Sequence, residues 1–157
     1  MNDLKLDLKN IKNITTLFAA ALKDKLEANG SNASGVLSKS INGKVKFDGK
    51  YITVSIQLED YYKYVEYGTK PHFPPIDAIK QWIKVKPVLP RPLENGKLPT
   101  ENQLAYLIGR KISKVGTKAN PFLAPTIRDF ALVDKIYEEV DKALTEALNN
   151  TIEEELK

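Results

Sequence analysis

The chain has no cysteine, one histidine, one methionine and one tryptophan among its 157 residues. Without cysteine there is no disulfide framework, no thiolate metal site and no cysteine nucleophile. A single histidine, His72, excludes a metal site built on two imidazoles of one chain, and a two-histidine acid–base pair. No apolar run approaches the roughly 20 residues of a membrane-spanning helix. Residues 1–5 lack the basic and apolar blocks of a signal peptide. Motifs for chemistry are missing as well. The Gly-Lys pairs at 43–44, 49–50 and 96–97 lack the preceding glycine and following Ser/Thr of a phosphate loop, and no G-x-S-x-G elbow occurs. In the middle of the chain the carboxylates Glu66, Asp77, Glu94 and Glu101 have no metal-binding spacing. Glu138, Glu139 and Asp141 read as a solvated helix face. His72 has no nearby Ser, Cys or Asp to complete a relay. The expectation is one soluble, intracellularly made domain over residues 1–157, not an enzyme and without cofactor or metal, whose ends at 1–9 and 145–157 are flexible or dock a partner.

What is present is an uneven distribution of charge. The net +4 divides into +2 over residues 1–60 (9 Lys, 7 Asp+Glu), +8 over 61–128 (12 Lys+Arg, 4 Asp+Glu) and −6 over 129–157 (3 Lys, 9 Asp+Glu). A basic middle beside an acidic tail has three readings. The basic part faces phosphates, or opposite patches meet head to tail on neighbouring copies, or both are merely solvated surfaces.

Periodicity indicates an α+β fold. Leu4, Leu6 and Leu8 fit either a strand or a helix start. Ile11, Ile14, Phe18, Ala21, Leu22 and Leu26 form one helical stripe, ended by Asn29-Gly30 and a flexible loop over 31–35. A β-hairpin is expected over about 41–58, with Asp48-Gly49 as a type I′ turn. Phe47 then pairs with Lys50, Val45 with Ile52, Gly43 with Val54 and Ile41 with Ile56, all on one face. A short helix follows over 77–86, and then a proline-rich loop over 86–99 that cannot be a central strand. The next helix opens on the capping-box spacing Thr100–Gln103 and carries Leu104, Leu107, Ile108, Ile112 and Val115. The last is long, with Ile127, Phe130, Val133, Tyr137, Val140, Leu144, Leu148 and Ile152 on its stripe; if continuous, it spans on the order of 45 Å. The expected architecture is a small antiparallel sheet packed with an N-terminal helix and C-terminal helices.

Two segments concentrate the information. In Tyr61-Tyr62-Lys63-Tyr64-Val65-Glu66-Tyr67-Gly68-Thr69-Lys70-Pro71-His72-Phe73-Pro74-Pro75, four tyrosines in seven residues give stiff amphipathic contact area. Gly68 permits a backbone reversal, and Lys70 and Phe73 are held extended by the prolines that follow them. Tyr64, Tyr67 and Phe73 are either contact surface or core. In Tyr106-Leu107-Ile108-Gly109-Arg110-Lys111-Ile112-Ser113-Lys114-Val115-Gly116-Thr117-Lys118-Ala119-Asn120-Pro121-Phe122-Leu123, Arg110 and Lys114 share a helix face beside Lys111. Gly116 suits a helix C-terminus, whose dipole accounts for part of the basic cluster. Lys118 lies outside that explanation, and Pro121-Phe122-Leu123 is an apolar plug for the core or for a neighbour.

Together these two segments resemble the tail-completion family of tailed double-stranded DNA bacteriophages, small proteins also described as tail components or minor structural proteins. The match covers roughly residues 58–127. It rests on Tyr64, Val65, Glu66, Tyr67, Gly68 and Thr69, and on Arg110, Lys111, Ile112, Gly116, Thr117, Lys118, Pro121, Phe122 and Leu123. The chain departs from the pattern at Tyr62, in the long proline-rich loop and in its long helical tail. The resemblance implies a non-enzymatic virion protein of the neck or tail, assembled in the host cytoplasm and forming a homo-oligomeric ring. Its implied partners are neighbouring neck, adaptor, tail-terminator or tail-tube proteins, with non-specific contact to passing DNA and none to a membrane. His72 and Phe73 belong to the same interface segment. The alternative is a basic nucleic-acid-binding protein using Arg110, Lys111, Lys114 and Lys118; an enzyme built on Glu66 and His72 ranks third.

Overall fold

The computed structural model describes residues 6–31, 34–86 and 88–156. Leu4, Asn32, Ala33 and Pro87, which figure in the sequence reading, lie outside them, as do residues 1–3, Lys5 and Lys157 of the two ends. Among the described residues the elements run α1 (Lys9–Ala28), α2 (Val36–Ser40), β1 (Asn42–Phe47), β2 (Ile52–Gln57), α3 (Tyr62–Tyr67), α4 (Ile76–Val85), α5 (Glu101–Val115), α6 (Leu123–Phe130) and α7 (Leu132–Glu155). This is the expected α+β class, with one two-stranded antiparallel sheet. No described helix is long and apolar enough to cross a membrane.

α1 is the central rod. Ile11, Phe18, Leu22 and Leu26 on its predicted stripe are buried. Thr15 is buried beside them, because its hydroxyl bonds back to the Ile11 carbonyl at 2.7 Å. Phe18, Ala19, Leu22 and Leu26 pack with Leu37, Ile41 and Phe122 into the main core, and Ile56, Leu58, Tyr62, Val65 and Phe130 close over it. β1 crosses α1 closely at Gly43, where a Cβ would lie 2.4 Å from the Thr15 methyl. α7 packs along α1: Leu132 at its start joins the core around Phe18, and Asn10 donates to Glu139 at 2.9 Å, while Phe130 at the end of α6 meets the Phe18 ring edge-on at 5.5 Å. Hydrogen bonds from Lys142 and Asn10 hold the Glu139 carboxyl below its ordinary pKa.

The hairpin forms with the expected faces but a different register. Phe47 pairs with Ile52, Val45 with Val54 and Gly43 with Ile56. The turn is therefore centred on Gly49-Lys50. Gly49 has φ 90° while Lys50 stays on the negative side, so the glycine leads the two-residue turn. Asp48 fixes the choice: its carboxylate accepts the backbone N–H of Lys50 at 2.9 Å and of Tyr51 at 2.7 Å. A slip of two residues keeps every side chain on its face, so the alternation could not distinguish the two registers.

The segment 62–67 forms the helix α3, and the short α2 precedes the hairpin. One other expectation changes. The C-terminal stripe is not one helix: Ala131, at φ 49° and ψ 43°, breaks it into α6 and α7, which leaves α7 about 36 Å long. Pro125 is tolerated in the first turn of α6, where no helical N–H bond is lost. The capping box at α5 forms as expected, with Thr100 and Gln103 bonded reciprocally.

Candidate functional site: a clasp between two helix ends

α3 and α5 end in the same way. Each stops on a glycine, Gly68 (φ 71°, ψ −170°) and Gly116 (φ 72°, ψ −162°), in a backbone region that side chains forbid. Each glycine is followed by threonine, and the two threonines pair as an isolated antiparallel bridge. Thr69 N–H donates to the Thr117 carbonyl and Thr117 N–H to the Thr69 carbonyl, both at 3.2 Å. The two hydroxyls lie 3.0 Å apart. Approach is so close that a Cβ on Gly68 would meet the Thr117 carbonyl oxygen at 2.3 Å, and one on Gly116 the Thr69 oxygen at 1.9 Å. Both glycines are thus required twice, for conformation and for space.

Glu66 and Asn120 lock the clasp to the core. The Glu66 side chain is 2% exposed. Its carboxylate accepts the N–H groups of Phe122 (2.7 Å), Leu123 (2.9 Å) and Ala124 (3.0 Å). These are the orphan donors at the start of α6, which has no side-chain cap of its own. A buried anion is therefore satisfied by a helix N-terminus. Asn120 donates its backbone N–H to the Val65 carbonyl at 2.9 Å. Its side chain reaches the Asn29 carbonyl and the Ser31 hydroxyl at the end of α1, and Asn29 returns a bond to the Pro121 carbonyl. Phe122 is fully buried in the main core, so the plug seats within its own chain, with Leu123 half-buried and Pro121 exposed.

The aromatic segment divides by face. Tyr62 and Val65 pack on the core, whereas Tyr64 and Tyr67 are 64% and 73% exposed. Phe73 is half exposed, tilted against Tyr106 with ring centres 6.1 Å apart and resting on Gly109, where a Cβ would lie 3.1 Å from the ring. The core alternative for Tyr64, Tyr67 and Phe73 is thereby replaced by an outward surface. His72 is exposed, its Nδ1 2.9 Å from the Lys70 carbonyl oxygen. Arg110, Lys111, Lys114 and Lys118 are all exposed. Lys111 and Lys118 border an apolar groove of about 700 Å³ between α4 and α5. On α5 the expected stripe is only partly inward: Ala105 and Gly109 are buried, while Leu107 and Val115 are open to solvent.

Asn120, Asn29 and the groove residue Trp82 join the site residues that the sequence points to. One signal for the clasp was present in the tripeptide Gly-Thr-Lys, which occurs at both 68–70 and 116–118. Chemically the site is an assembly of backbone bonds, one satisfied carboxylate and outward aromatics and cations. Among the described residues no three imidazole or carboxylate side chains converge to hold a metal ion.

No family model, curated protein or solved structure matches this chain.

Proposed function

We propose that this chain is a non-enzymatic structural protein of a tailed-phage neck or tail, a ring-forming tail-completion or head–tail connector subunit. The observation that carries the reading is the clasp. Of the residues that carry the family resemblance, those at 64–69 and 116–123 interlock through Thr69–Thr117 and through Glu66 on the start of α6. The identities of Gly68, Gly116 and Glu66 follow from this geometry, with no catalytic role needed. With Glu66 spent on three N–H groups and Phe122 in the core, what remains outward is contact surface: Tyr64, Tyr67 and Phe73. Other copies of the chain and neighbouring adaptor, tail-terminator or tail-tube proteins are the partners, met in the host cytoplasm during assembly and retained in the virion. The test is to probe purified virions with a labelled antibody to this chain. Label at the head–tail junction or tail is expected, and virions free of the chain overturn the reading.

A second reading is favoured by one feature. Arg110, Lys111, Lys114 and Lys118 are exposed and form no ion pair among the described residues. They suit nucleic-acid backbone, either as the main function or where DNA passes through a ring. Electrostatic binding of this kind weakens steeply with salt. A gel-shift titration that shows no binding at low salt eliminates it.

A further inference from the structure

Two exposed faces of this chain match each other and cannot meet within one copy. The first is the groove between α4 and α5, where Trp82, Ile112 and Val115 give an apolar floor between Lys111 and Lys118. Trp82 and Val115 are 40% and 67% exposed. The second is a stripe on α7. Tyr137, Leu144, Leu148 and Ile152 recur at spacings of seven, four and four residues, and all four are exposed, while Ala143 and Ala147 on the neighbouring strip are buried. Asp134, Glu138 and Asp141, at i, i+4 and i+7, run along the same side of the helix as this stripe. They too are exposed and form no ion pair among the described residues.

An apolar trough edged by cations and an apolar rod edged by carboxylates are complementary in polarity and in sign. The same complementarity holds for the chain as a whole, +8 over 61–128 and −6 over 129–157. α7 is tied along its own α1 by Asn10–Glu139 and by Leu132, which packs on the core around Phe18, and none of its residues lines the groove of its own chain. We infer that the α7 stripe of one copy docks in the α4–α5 groove of the next. The two faces differ, so each docked copy still presents one free groove and one free stripe, and the contact propagates head to tail. Nucleic acid would satisfy the groove cations but leave the apolar floor and the α7 stripe uncovered, whereas a second copy covers all three. The inference deepens the ring-subunit reading and rests on it only for closure into a ring rather than a filament.

Sedimentation of the full chain tests it. Wild type should associate beyond a dimer as concentration rises, and less so in high salt. Val115→Glu places a carboxylate in the groove, and Leu148→Glu places one on the stripe. Both positions are exposed, so both variants should melt like wild type. Each alone should remain monomeric. Their equimolar mixture should form a one-to-one dimer and nothing larger, because it retains one intact groove on one partner and one intact stripe on the other. A wild type that stays monomeric assigns the groove to a helix of some other protein and overturns the inference. A mixture that stays monomeric, or single variants that assemble as wild type does, overturn it as well. A wild-type assembly untouched by either substitution removes this contact and leaves the neck reading to the virion labelling.

Discussion

Glu66 shows how one side chain is assigned once its partners are known. In sequence it is a carboxylate among tyrosines, available for catalysis; in the fold it supplies the missing cap of α6. Glu66→Gln removes the charge and turns amide hydrogens toward amide hydrogens. The expected cost is about 2–4 kcal/mol, from charge-assisted bonds and buried unsatisfied donors. Denaturant unfolding checks it, and a loss below about 0.5 kcal/mol contradicts the capping role. Phe122 and Tyr67 separate packing from contact in the same way. Phe122→Ala should cost about 3–5 kcal/mol, as large-to-small changes in a closed core do. Tyr67→Ala, on a side chain 73% exposed, should leave stability within about 0.5 kcal/mol. Any defect in the Tyr67 variant should then appear in assembly and not in its melting curve.

At the scale of elements, the hairpin turn makes a pH-dependent prediction. The N–H groups of Tyr51 and Lys50 hold the Asp48 carboxyl below its ordinary pKa. A lowered folded-state pKa gives stabilisation that is complete above the unfolded value of about 3.9 and is lost as pH falls through the lower folded one. Wild type should therefore melt above Asp48→Ala at neutral pH, and the difference should shrink below about pH 4. A difference that stays constant into strong acid rules out the charged turn. The same turn shows what sequence reading could and could not reach. The faces of the hairpin were legible because alternation has a period of two. The register was not, because Asp48-Gly49-Lys50 admits two turns and only the carboxylate's bonds select between them. The break at Ala131 was illegible for a similar reason: alanine is the strongest helix former, and here it sits in a left-handed conformation. The long-range pairing of Glu66 with the α6 start was out of reach, since nothing local in 62–67 names a partner 56 residues away. By contrast the capping box at Thr100 and the α1 stripe are local patterns, and both were readable.

Across the whole molecule, the charge asymmetry acquires an address. Burying Glu66 removes one of the four acidic residues of the basic middle from the surface. Lys111 and Lys118 lie beside an open apolar groove, and Asp134, Glu138 and Asp141 lie beside an open apolar stripe on α7. A chain whose Glu66, Gly68, Thr69, Gly116 and Thr117 are engaged by its own backbone, and whose outward faces are apolar with charged borders, offers those faces for contact. The proposed role is the joining of phage heads and tails. Electron microscopy of lysates from a phage lacking this chain tests it most directly. Filled heads and separate tails that join when the protein is added back are the predicted result; normally joined, infectious particles in its absence would contradict it.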